Sequence, residues 1–183
     1  MDLSKMLKRV TSDKKYLITA ICIAIAALNA ILGIFSPSYG GIKFFSLVTC
    51  VISLVALASL FIYALNFHGT RGPKTTLYAY FLLSIAHTFL YAIIYIFAGA
   101  IAFSELFNVL INLIFPCLML GFIFMGVKGM PVYALAFLEC ARRLILNIRG
   151  GIFLNVEGII ILLLFVNGIV LTLAIAHLIS TDK

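Results

Sequence analysis

An all-α, polytopic membrane protein is predicted, on three observations. The chain is 64% hydrophobic and 10% charged, where soluble domains carry roughly 45–50% and about 25%. Its apolar residues are gathered into five long runs free of Asp, Glu, Lys and Arg. Each run reaches the roughly 20 residues that a helix needs to cross about 30 Å of hydrocarbon, whereas a membrane β-barrel would show alternating segments of about ten. The 183 residues divide into a basic N-terminal segment, 1–15, and a single membrane domain, 16–183.

The N-terminal segment has Leu3, Met6, Leu7 and Val10 at helical spacing, with Lys5, Lys8 and Arg9 elsewhere on the turn. That pattern suits a cytoplasmic surface anchor or docking surface. The first span, near 16–35, is long for a signal-peptide core and is expected to be retained. Thr19, Cys22, Ala26, Asn29, Ala30 and Gly33 form a small and polar strip along it. The second span, near 44–67, repeats the device with Ser46, Thr49, Cys50, Ser53 and Ala56. Such strips let helices approach closely and exchange hydrogen bonds.

The third span, near 77–103, follows Pro73, a residue suited to a first helical turn. Tyr80, Ser84, His87, Thr88, Tyr91 and Tyr95 fall within about 100° of one another on its helical projection. The fourth, near 106–127, starts after Ser104 and Glu105 and carries Asn108 and Asn112 one turn apart before Pro116. The fifth, near 158–179, starts after Asn155 and Glu157 and sets Asn167 beside Gly168, Thr172 and Ala176.

Between the last two spans lies FLECARRLILNIRGG, from Phe137 to Gly151. A crossing over about 131–153 would place Glu139, Arg142 and Arg143 near mid-membrane, at about 2.5–3.5 kcal/mol each on the insertion scale, whereas the interfacial helix is expected near 131–149. On a helix, Glu139, Arg142, Arg143, Asn147 and Arg149 share an arc of about 160° opposite a leucine- and isoleucine-rich face. Glu139 can pair with either neighbouring arginine at this spacing. The expectation is an amphipathic interfacial helix on the cytoplasmic side, its Arg142, Arg143 and Arg149 meeting lipid headgroups or a partner.

Charge placement sets the orientation. In a five-span arrangement, eleven of the thirteen basic residues lie on the N-terminal side, and only Lys43 and Lys183 on the other. The N-terminus is therefore expected in the cytoplasm and the C-terminus on the opposite side. The net charge of +7 is spread over loops at a membrane surface, which calls for anionic headgroups and not for nucleic acid.

Function is less legible. The stripe of the third span would strand hydroxyls and an imidazole in lipid if it faced outward, so it should face other helices or a wet cavity. His87 is its centrally placed group that titrates near neutral pH. Asn29, Asn112 and Asn167 join Tyr80, Ser84, His87, Thr88, Tyr91 and Tyr95 as pore- or solute-facing candidates. Carboxylates lie near run ends, the three histidines lack HExxH-like spacing, and the four cysteines lack C-x-x-C spacing. These absences argue against acid–base, metal or redox chemistry in the bilayer core. No cofactor is indicated.

The expected function is that of a membrane subunit, in a homo-oligomeric channel or a multi-component transport assembly for a small solute or ion. Its expected partners are copies of itself or other membrane subunits. A non-conducting scaffold whose stripes dock partner helices is the competing class. An intramembrane lipid-acting enzyme, using Arg142 or Arg143 on a headgroup, is a third.

Overall fold

The computed structural model describes residues 14–33, 43–66, 74–97, 103–149 and 156–181. Six helices account for most of them: α1 (Lys14–Leu32), α2 (Lys43–Asn66), α3 (Lys74–Phe97), α4 (Phe103–Met125), α5 (Met130–Arg149) and α6 (Val156–Thr181). There is no strand among the described residues. Residues 1–13 of the expected N-terminal anchor lie outside the described residues.

Segments in α2, α3 and α6 are long and apolar enough to cross a membrane: Leu47–Leu65, Lys74–Ile93 and Gly158–Thr181. The apolar helical segments of α1 and α4, Leu17–Leu32 and Val109–Met125, are shorter. Ile21, Leu28, Val51, Leu82, Phe89, Leu110, Phe124 and Leu163 all point outward. A contiguous apolar exterior of this kind needs lipid around it rather than water.

Each helix packs on its neighbours in sequence, and α6 packs back on α1. The result is a closed ring of six helices. Buried apolar residues gather at one end of this ring, and their positions alternate along the chain. They lie at the middle of α1 (Cys22, Ile23) and toward the N-terminal part of α3 (Leu77, Phe81) and α5 (Val132, Ala136). In α2 (Leu60, Tyr63, Ala64), α4 (Met119, Ile123) and α6 (Ile175, Leu178, Ile179) they lie toward the C-terminal part. An up-and-down bundle with one common packed end explains this alternation.

The α4–α5 connection sits at that packed end. Gly126 has φ 70° and Gly129 φ 73°, a left-handed conformation that costs glycine no Cβ clash. The Val127 amide donates to the Phe122 carbonyl at 2.8 Å and the Gly126 amide to the Ile123 carbonyl at 3.2 Å, the paired bonds of a Schellman stop. The Gly129 carbonyl then accepts from the Val132 and Tyr133 amides and starts α5. Pro131 occupies the first turn, where a missing N–H costs nothing.

The chain therefore reverses within four residues, and α5 runs antiparallel to α6. Tyr133 Oη lies 2.9 Å from His177 Nδ1, whereas Arg143, further along α5, reaches Gly168, earlier on α6. The two faces of α5 are sharply different. Met130, Phe137, Leu138, Leu144 and Ile145 are turned outward, Leu138 being 69% exposed. Glu139, only 5% exposed, is turned inward.

Candidate functional site: a cavity inside the ring

Away from the packed end, the six helices surround a cavity of about 620 Å³ to which every one of them contributes lining residues. Helix α3 supplies Tyr80, Ser84, His87, Thr88 and Tyr91, the polar stripe expected from its sequence. Asn29 of α1 and Asn112 of α4 also line it. The strip on α2 contributes Thr49, Cys50 and Ser53, and α6 contributes Gly168 and Thr172. The side chains of Tyr95 and Arg149 lie outside the described residues.

Asn167 is placed elsewhere. Its Nδ2 donates to the Cys22 carbonyl at 3.1 Å, which ties α6 to α1 near the middle of both helices. Its role here is the interhelical hydrogen bond that asparagine makes between membrane helices.

The stripe's hydroxyls are partly committed to their own helix. Ser84 Oγ donates to the Tyr80 carbonyl at 2.8 Å, and Thr88 Oγ1 to the Ser84 carbonyl at 3.0 Å. Thr172 Oγ1 does the same to Gly168 on α6, at 2.8 Å. Back-bonding uses each hydroxyl's one proton and leaves its oxygen lone pairs for the cavity. The His87 and Tyr91 rings lie 5.8 Å apart, tilted by 45°, so that this part of the wall offers ring faces as well as polar edges.

Glu139, Arg142 and Arg143 of α5 complete the lining. The Arg142 fork grips the carboxylate with both arms, Nε to Oε2 and Nη2 to Oε1, each at 2.7 Å. Arg143 Nε adds a third bond to Oε1, also at 2.7 Å. The carboxylate is thus ion-paired with both guanidiniums at 5% exposure. Arg142 and Arg143, expected at headgroups or on a partner, stand in the cavity wall around this anion.

Helix α6 makes room for the cluster. Arg143 Nη1 lies 2.8 Å from where a Cβ on Gly168 would stand, so the guanidinium occupies the space that a side chain there would fill. The buried donor Arg142 Nη1 has no hydrogen-bond partner among the described residues. The sequence showed the helical spacing of Glu139 with both arginines but gave no sign of which way their arc faced. The nearest clue was the continuous apolar face opposite, which suits lipid as well as it suits a bundle.

Neither a family model, nor a curated protein, nor a solved structure matches this chain.

Proposed function

We propose that this chain is the solute-binding subunit of a membrane transport assembly. The observation that carries the reading is the dead-ended cavity: polar groups of all six helices converge on one space, and a packed apolar core fills the ring beyond it. Its volume lies within the about 300–1,000 Å³ common for small-molecule sites. Packing at one end favours a binding chamber over a continuous channel. Onward passage of the solute then depends on rearrangement of the ring, driven by other subunits.

The proposed topology has six crossings with the N-terminus cytoplasmic. A five-crossing arrangement, with α5 lying in the interface, follows from the insertion cost of its charges. That cost applies to charges facing lipid, whereas Glu139 is paired and turned inward while Leu138 and its neighbours face out. The antiparallel run of α5 along α6 supports the sixth crossing. Basic residues still favour the same orientation: Lys43 and Arg149 alone would stand outside, against nine on the cytoplasmic side. The packed end is then cytoplasmic, and the cavity belongs to the outer half of the membrane.

Single cysteines at Ser84, Thr88 and Tyr91, in a chain whose own four cysteines are replaced by serine, test the reading. All three are expected to react with a membrane-impermeant, water-soluble thiol reagent applied from outside, and a cysteine at the lipid-facing Leu82 is expected to stay inert. If the three stripe positions are inert in folded protein, the stripe is a dry helix contact and the scaffold reading replaces this one.

A further inference from the structure

We infer that the cavity takes an organic monoanion, with a carboxylate or phosphate-type oxyanion seated by Arg142 and Arg143 and its ring or hydrocarbon body lying toward His87 and Tyr91. This rests on the solute-binding reading and specifies the class of solute. Among the arginines and carboxylates lining the cavity, two guanidiniums stand against one carboxylate, one positive charge in excess. In a space bounded by apolar helices, that excess is poorly screened, and a single negative charge on the ligand cancels it.

The donor inventory points the same way. Each guanidinium offers five N–H groups in a rigid fork, and Glu139 accepts from Nε and Nη2 of Arg142 and from Nε of Arg143. Arg142 Nη1 is buried with no acceptor among the described residues, a condition that costs free energy until an acceptor reaches it. Two adjacent forks are the arrangement that suits a planar carboxylate or a phosphate oxygen pair. Three hydroxyls of the wall, those of Ser84, Thr88 and Thr172, offer an anion no proton, because they donate to backbone carbonyls. Glu139 has a positioning role: it aligns both arginines and reduces their joint charge from two to one, which selects a monoanion over a dianion.

The test uses the purified full chain in an uncharged detergent. Benzoate, phenylacetate, 4-hydroxyphenylpropionate and octanoate are each compared with the neutral amide of the same skeleton, by thermal-unfolding shift and by titration. At least one acid is expected to bind roughly tenfold or more tightly than its amide, the margin of a charge-assisted hydrogen bond. Arg142→Gln should bring acid and amide to near parity, and Arg142→Lys, which keeps the charge but removes the fork, should fall between. Where Arg142→Gln does not fold, the wild-type comparison and Arg142→Lys decide.

Parallel samples in phosphatidylcholine nanodiscs, with and without phosphatidylglycerol, separate the two sources of oxyanion. Stabilisation by phosphatidylglycerol that Arg142→Lys weakens, with no response to any soluble acid, would keep the oxyanion site but assign it to a lipid headgroup and end the solute-binding reading. Amides binding as well as acids would keep that reading and overturn the monoanion. An acid preference that survives Arg142→Gln, or no response to any acid, amide or anionic lipid, would also overturn it.

Discussion

Glu139 is a charge in a place where charges are expensive, and it is tolerated because three short hydrogen bonds replace its water. Removing one member of such a group does more harm than never having had it, since the partners stay buried without their counter-charge. Glu139→Gln is expected to cost about 3 kcal/mol, the low end for a broken buried pair, because Arg143 is itself 40% exposed and water screens part of its charge. Unfolding of wild type and Glu139→Gln by SDS titration checks this, and a gap near zero would mean that the carboxylate is not what holds the arginines. At this scale the sequence was half legible: the i, i+3 and i, i+4 spacing announced the pairing, but the surroundings of the pair depend on contacts with α3 and α6 that no local pattern records.

The long apolar runs fall on α1, α2, α3, α4 and α6, and the charged stretch falls on α5, with bounds that shift by a few residues. The third span was expected near 77–103, whereas Phe103 is the first residue of α4. Which way the charged arc of α5 faces was not legible, since the arc has the same spacing whether it meets water, headgroups or other helices. The turn into α5 offers a clean test of its construction. Gly126→Ala forces an L side chain into the left-handed region and should destabilise by about 1–2 kcal/mol. Gly121→Ala, at a helical position with open space around its Cβ, should be neutral or stabilising by up to about 1 kcal/mol. SDS unfolding of the two variants side by side checks this, and equal effects would mean that the tight reversal contributes little to holding α5 against α6.

On the scale of the molecule, what matters is that separate polar strips meet. Each strip was visible in the sequence as an arc on a helix; their convergence within one chain was not, because a strip that faces a cavity and one that faces a partner helix share the same periodicity. The ring also makes topology a question of parity. A reporter fused after Lys183 should register in the cytoplasm if α5 completes a sixth crossing, and outside if α5 lies in the interface with five. The packed end has a further electrical meaning. With Leu60, Tyr63, Phe81, Met119 and Val132 all buried to 2% exposure or less, an ion that enters the chamber meets close-packed hydrocarbon in place of water, and desolvating it there is prohibitive. The chain can thus reside in an energised membrane without short-circuiting it. Planar bilayers containing the purified protein should stay at baseline conductance at any holding potential that the lipid withstands, and liposomes carrying it should keep an imposed potassium diffusion potential as long as protein-free ones do. Sustained single-channel currents would show that the seal opens spontaneously.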